Sequence, residues 1–413
     1  IRITLVATND LHGWVQPHES RLSDGTTLRA GGAALFASYL DVLRTANPGG
    51  VVLVDAGDLF QGTLVANLSE GEAVIAAYNA LGYDGAAIGN HEFDYGPVGP
   101  RSAALAEEDD PLGALGARAA QARFPLLARN LRGHDGARPA FLAKDGTAIV
   151  ERHGLRIGLL GLVTPHTPEV TNPVNVSRLR FAGLAEEASS GAAELRAAGA
   201  DLVVAIVHAG GRCEQLGDPR DTTSCDMSGE IFELLGALPA QSFDAVVAGH
   251  THAQIGHFVN GMPVVESGSY GLQFGVIELA VSPRTRRPIA ERTRIRAGLP
   301  ICERVIAQTG DCVAKRWKPG MELVEATFDG VKIETKAELT ALLAPYLELV
   351  REKQLENLSV SIPVTLTREH RAESALGNAL ADALRAMEGA DVALLNSGGF
   401  RADLREGPLS YGG

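Results

Sequence analysis

Five short apolar runs recur through the first part of the chain: Ile1 to Ala7, Val51 to Val54, Ala86 to Ile88, Leu202 to Val207 and Ala245 to Ala248. Each is rich in Val, Ile, Leu or Ala and is bounded by Gly, Asp or Asn, the pattern of strands buried on both faces. Between them, Gly32 to Arg44, Glu70 to Leu81 and Ala182 to Ala198 read as helices. Further strands are predicted at Arg156 to Leu162, Pro263 to Glu266 and Gly275 to Val281. The alternation of strand and helix predicts an α/β chain that binds ligands just beyond the C-terminal ends of its strands.

What stands at those ends is chemically uniform. The runs deliver Asp10-Leu11-His12, Gly57-Asp58, Gly89-Asn90-His91-Glu92, Val207-His208 and Gly249-His250-Thr251-His252. Asp10 and His12 are two apart, so an extended backbone would turn both side chains to one side. Asp58 can offer an oxygen to each of two ions, Asn90 adds a neutral carbonyl, and His208, His250 and His252 supply nitrogen. Oxygen and imidazole without thiolate suit two divalent ions of Zn, Mn, Fe or Co, and donor type does not choose among them. Alone, Asp-x-His is an ordinary capping or turn pair, and Gly-Asn-His a turn tolerant of positive φ. Five such segments in succession point to a dinuclear hydrolytic site.

The segments Asn9-Asp10-Leu11-His12-Gly13, Gly57-Asp58, Gly89-Asn90-His91-Glu92-Phe93-Asp94 and Gly249-His250-Thr251-His252 resemble those of the calcineurin-like metallophosphoesterases, and more closely their bacterial 5'-nucleotidase branch. The resemblance implies a four-layer α/β/β/α sandwich followed by a second, C-terminal α/β domain. It implies one metal held by Asp10, His12, Asp58 and His252, and another by Asp58, Asn90, His208 and His250, with Asp58 as the bridge. It also makes His91 the catalytic residue facing the phosphoryl group and Asp94 its orienter. A carboxylate behind an imidazole fixes its tautomer and stabilises the protonated form. In the implied reaction a metal-bridging hydroxide attacks phosphorus in line.

Farther on, Leu339, Leu342, Leu343, Tyr346, Leu347 and Val350 recur at helical spacing, with Pro345 expected to kink or break the helix. Arg371 to Asn378, a helix-like Ala379 to Met387, and a strand-like run from Ala390 leading into Asn396-Ser397-Gly398-Gly399-Phe400-Arg401 resemble the nucleotide-binding C-terminal domain of 5'-nucleotidases. That makes Asn396, Gly398, Arg401 and Arg371 the expected substrate-binding residues. The expected organisation is a catalytic domain over 1–298, a linker segment with a helix over 299–358, and a partial C-terminal domain over 359–413. The chain stops where members of that family continue, so the second domain is expected to be incomplete and short of an adequate core.

Composition narrows the picture. With 413 residues, 45% hydrophobic and 21% charged, the chain can bury a large core in more than one domain. Its 37 basic and 50 acidic residues give a net charge of −13, which speaks against a nucleic-acid polymer as partner, so a phosphorylated substrate must be attracted locally. Four cysteines fall into local pairs, Cys213 with Cys225 and Cys302 with Cys312, without Cys-x-x-Cys spacing. Two loop-closing disulfides imply an oxidising, extracytoplasmic compartment, the alternative being four buried free thiols. No transmembrane run or leader pattern occurs, and a signal peptide is expected to have been removed. A metal-dependent 5'-nucleotidase is the expected activity. The alternatives are a UDP-sugar or NAD pyrophosphatase, a 2',3'-cyclic nucleotide phosphodiesterase, and a non-catalytic nucleotide-binding surface protein. The last has no need of His91 and Asp94 together.

Overall fold

Strands Arg2–Thr8 (β1), Val51–Asp55 (β2), Gly85–Ala87 (β3), Leu126–Leu127 (β4), Thr147–Arg152 (β5), Leu155–Val163 (β6), Leu202–His208 (β7), Ala245–Ala248 (β8), Gln254–Val259 (β9), Met262–Ser267 (β10), Gln273–Ala280 (β11) and Arg294–Pro300 (β12) form two six-stranded sheets. Their orders are β12-β11-β1-β2-β3-β4 and β9-β10-β8-β7-β6-β5. β1 to β4 are mutually parallel, as are β6, β7, β8 and β10, and antiparallel strands complete both sheets. All five expected ligand-bearing runs are therefore parallel strands of one sheet or the other.

The period of two along β7 shows how the layers stack. Leu202, Val204 and Ile206 enter the core between the sheets with Ile3, Leu5, Val52, Val54 and Ile277. Val203, Ala205 and Val207 face the other way, against Ala188, Leu195, Ile231 and Phe232 of helices Leu184–Ala197 and Glu230–Ala237. On the first sheet's outer face, Phe36 and Tyr39 of helix Ala33–Ala46 pack on Phe274 of β11. Tyr78 of helix Glu72–Leu81 donates to Asp55 of β2 at 2.8 Å. This is the four-layer α/β/β/α sandwich. By the same parity His208 ends β7 on the inter-sheet side, where its Nδ1–H donates 2.8 Å to the carbonyl of Ala56, just past β2.

The computed structural model describes residues 1–369, 372–395 and 402–412, and falls into two units, Ile1–Ala344 and Pro345–Gly413. Residues 299–344 are fastened to the first. Gly31 N–H donates to Ile301 O at 2.7 Å, Cys302 bridges Ala30, the Tyr39 hydroxyl bonds to Cys302, and Lys336 pairs with Asp41 at 2.5 Å. Both local cysteine pairs are disulfides, Cys213–Cys225 and Cys302–Cys312. No described helix is long and apolar enough to cross a membrane.

Helix Ala337–Gln354 continues through Pro345, so the break that was one of the two expected outcomes does not occur. Proline removes one intrahelical bond, to the carbonyl of Ala341. Ala341 is exposed, so water can take the place of the missing N–H. In the second unit, Asn357–Ile362 pairs antiparallel with Gly407–Ser410, and helix Ala375–Glu388 is capped by Ser374 and ended by left-handed Gly389. The strand-like run from Ala390 to Leu395 is irregular, with Leu394 92% exposed. Among the described residues no strand offers it a ladder, and a lone strand leaves its backbone groups unpaired. Arg371, Asn396, Gly398 and Arg401 lie outside the described residues.

Candidate metal centre

The expected ligands converge, although not by the route their spacing suggested. β1 ends at Thr8, and Asp10 and His12 adopt left-handed backbone, with φ of 50° and 49°, rather than an extended one. Asp58, His250 and His252 do the same at 56°, 82° and 56°. Such a conformation costs a non-glycine residue about 1–3 kcal/mol and persists where its surroundings over-determine it. Here the turns lock one another: Asp10 N–H donates to Gly57 O, His12 N–H to Asp58 O, and Tyr270 N–H to Asp10 O, all within 3.0 Å. The loops approach so closely that a Cβ on Gly89 would fall 2.2 Å from Asp58 Oδ1.

Asp10, His12, Asp58 and His252 each present a donor atom within 4.8 Å of the others, and Asp58, His208 and His250 do likewise. Asn90 joins the second group, its Oδ1 lying 3.0 Å from His208 Nε2. Asp58 is common to both, with Oδ2 3.2 Å from His208 Nε2 and 3.7 Å from His12 Nε2.

The donor chemistry fits bound cations. His208 Nδ1 and His12 Nδ1 must carry hydrogen, because they donate to the carbonyls of Ala56 and Gln61. Their Nε2 atoms then face the site. His208 Nε2 meets only oxygens, Asn90 Oδ1 and Asp58 Oδ2, neither of which can donate when Asn90 turns its Nδ2 to the carbonyl of Val170. Burial opposes a charge on His208, yet Asp58, Asp10 and Glu92 push its pKa up to about 10. Burial and the charge on Asp58 bring Asp10 up to about 7. Burial, with His208 and His12 respectively, lowers His250 and His252 to about 4, leaving neutral imidazoles suited to ligation. An anionic pocket rimmed by neutral imidazole is completed by positive charge.

His91 and Asp94 are also brought together. His91 Nδ1 lies 2.5 Å from Asp94 Oδ2, and the His91 ring is 5.1 Å from that of His12. Burial opposes protonation, but the bond to Asp94 and the charge on Asp58 push His91 up to about 9.

Three residues with no assigned role in the sequence turn out to hold the site. Glu92, fully buried, accepts the N–H groups of Asp58, Leu59, Phe60 and Gly89 and so ties two ligand loops together. Glu266, equally buried, accepts from Thr251 at 2.6 Å and from the N–H groups of Ala253 and Gly211. Thr171 donates 2.6 Å to the second oxygen of Asp94, while its neighbour Val170 fixes Asn90. A glutamate inside the Gly-Asn-His-Glu run was a visible signal. Glu266 and Thr171 had none, because their partners are 15 to 77 residues away.

Residues 3–254 match the calcineurin-like phosphoesterase family, and residues 354–413 match the 5'-nucleotidase C-terminal domain. The chain belongs to the calcineurin-like phosphoesterases, a family of phosphoric ester hydrolases that use divalent metals. It is 26% identical over 418 residues to the endonuclease YhcR of Bacillus subtilis (strain 168), spanning all of this chain but 30% of that protein. It is 25% identical over 443 residues to the 5'-nucleotidase of Vibrio cholerae, covering 99% of this chain and 70% of the relative. Among solved structures, the 5'-nucleotidase precursor of Thermus thermophilus superposes with a TM-score of 0.66 at 25% identity, over 99% of this chain and 72% of that one.

Proposed function

We propose that the protein is a metal-dependent phosphohydrolase that removes phosphate from nucleotides, 5'-mononucleotides first among them. The observation that carries this reading is the pair of donor groups sharing Asp58 beside the His91–Asp94 pair. Asp10, His12, Asp58 and His252 hold one ion, and Asp58, Asn90, His208 and His250 the other. The set suits Zn, Mn, Fe or Co. When bound, two divalent cations polarise the phosphoryl group and make water a competent nucleophile near neutral pH.

The chain's own groups do the rest. Asp94 takes the Nδ1 hydrogen of His91, so a proton on His91 Nε2 is free to donate to a phosphoryl or leaving-group oxygen. Thr171 keeps Asp94 in register. The fully buried Asp10 and His208 and nearly buried Asp58 keep bulk water off the far side of the centre.

In this reading residues 1–298 are catalytic, 299–358 connect, and 359–413 form part of a substrate-binding domain to which Arg371, Asn396, Gly398 and Arg401 contribute. The match to the 5'-nucleotidase C-terminal domain and the relatives named 5'-nucleotidase support it. Two disulfides support an extracytoplasmic site of action. A second reading, cleavage of polynucleotides, is favoured by the endonuclease relative that matches the whole chain. The net charge of −13 opposes it.

The test is hydrolysis of AMP, UDP-glucose, NAD and 2',3'-cyclic AMP, read by chromatography of the products, with single-stranded DNA and bis(p-nitrophenyl) phosphate alongside, each with chelator or with added Mn²⁺ or Zn²⁺. Metal-dependent release fastest from AMP is the expected result. Fastest cleavage of DNA would establish the second reading, and no metal-dependent cleavage of anything would refute both.

A further inference from the structure

The turn from Gly268 to Leu272, which joins β10 to β11, closes over two of the ligand loops. Gly268 N–H donates 2.7 Å to Ala253 O, beside His252, and the Asn9 side-chain amide donates 2.6 Å to Gly268 O, beside Asp10. Gly268, Tyr270 and Gly271 are left-handed, with φ of 66°, 63° and 64°. Glycine takes that conformation freely. Tyr270 does not, and a bulky residue held there against its preference persists only where its surroundings over-determine it, a situation that gathers at functional sites.

The surroundings of Tyr270 are the candidate metal ligands. Its N–H donates 2.7 Å to Asp10 O, and its carbonyl accepts 2.9 Å from Nε2 of His18, whose ring is stacked on Trp14 at 3.6 Å. The Tyr270 ring lies 5.6 Å from that of His12 and 5.2 Å from that of His252, meeting the latter edge-to-face at 77°. His12 and His252 are themselves 4.9 Å apart, so the rings form a triangle. These separations are those at which aromatic rings attract and orient one another. Among the described residues the Tyr270 ring makes no such contact with His208 or His250.

The imidazoles differ in what else holds them. A metal-ligating histidine is ordinarily oriented by a hydrogen bond from its second ring nitrogen to an oxygen. His12 and His208 have that bond, to Gln61 O and Ala56 O. His252 has none among the described residues, and the close polar contacts of its ring run from Nε2 alone, to His12 at 2.9 Å and Asp10 at 3.5 Å. Its orientation therefore rests on packing.

Resting on the dinuclear reading of the site, we propose that Tyr270 is a positioning residue for the ion held by Asp10, His12, Asp58 and His252. Its ring, fixed by the left-handed turn, does for His252 what a backbone carbonyl does for His12 and His208. The role belongs to the ring, so phenylalanine can fill it, and it concerns one ion of the two.

The test is Zn²⁺ titration of the metal-free 413-residue chain against a chromophoric chelator, which reads the two dissociation constants without turnover. Tyr270→Gly keeps the backbone bonds and relieves the strain of positive φ while removing the ring. It weakens one ion about 10- to 100-fold, the scale for losing a ligand's outer partner, and leaves the other within about threefold. The affected constant is the one that His252→Ala also weakens. Tyr270→Phe binds both ions as the wild-type chain does. Unchanged constants in Tyr270→Gly, an equal loss at both ions, a loss at the ion that His252→Ala spares, or a Phe variant as weak as Gly each overturn the proposal. Those outcomes leave the dinuclear reading standing, because the wild-type chain still takes up two ions. A wild-type chain that takes up no Zn²⁺ overturns that reading, and the role of Tyr270 with it.

Discussion

Two apolar runs of similar composition meet opposite fates in this chain. Leu202–His208 is buried at every position between two neighbouring parallel strands, while Val392 to Leu395, equally apolar, makes no strand and leaves Leu394 92% exposed. The same contrast divides the units. Helix Leu184–Ala197 buries Leu184, Ala188, Ala192 and Leu195 against β6 and β7, whereas helix Ala375–Glu388 buries Leu376 and leaves Leu380, Leu384 and Met387 exposed along one side. An apolar period makes an element possible, and a neighbour that takes the apolar face makes it stable.

The contrast is sharpest at the centre that the buried strands carry. Asp58→Asn removes charge and a donor oxygen from both groups at once. Loss of both ions and a fall in kcat on the order of 10³-fold are expected, a scale set by the loss of preorganised charge stabilisation. Elemental analysis that still found two ions per chain would refute the bridging role. His91→Ala, which removes no member of either donor group and keeps the backbone N–H that bonds to Asp58, keeps the metal and lowers kcat by about 10²–10⁴-fold. Unchanged turnover would remove His91 from the mechanism.

Next comes the scaffold itself. Ile206 lies fully buried between the sheets, and Ile206→Ala is expected to cost about 2–5 kcal/mol through lost transfer energy and a residual cavity. Both tryptophans, Trp14 and Trp317, lie in the first unit, so urea unfolding followed by their fluorescence reports on this unit. A change under 1 kcal/mol would mean that the inter-sheet core relaxes around the gap.

Much of the site was legible because ligands at strand ends need only a strand and a short motif, and both are local. Asp58, Asn90 and His208 follow apolar runs that announce themselves. The left-handed turns at Asp10 and His12 were not legible, since their φ values are fixed by bonds to Gly57 and Asp58, almost fifty residues away. Glu266 and Thr171 were hidden for the same reason. Nor could the sequence show that the carbonyl freed by Pro345 is exposed, or that the run after Ala390 lacks a partner strand.

Thr171 gives a smaller effect that separates positioning from chemistry. Thr171→Val removes the 2.6 Å bond to Asp94 at nearly constant volume. About 10- to 100-fold in kcat, with KM little changed, is the expected loss for an outer partner of a site. Thr171→Ser, which retains the hydroxyl, should restore most of it. A Ser variant as slow as Val would assign the loss to packing.

The smallest effect returns to the opening contrast. Leu394→Ala deletes the same kind of side chain as Ile206→Ala, but hydrophobic stabilisation scales with area removed from water, and Leu394 keeps nearly all of its surface in water. The expected change is within about 0.5 kcal/mol, as for surface substitutions generally. Because both tryptophans report on the first unit, hydrogen exchange at the backbone amides of helix Ala375–Glu388 must follow the second. A loss above 1 kcal/mol would show that Leu394 is covered in solution, and the two apolar runs would then differ in the partner they find and not in whether they find one.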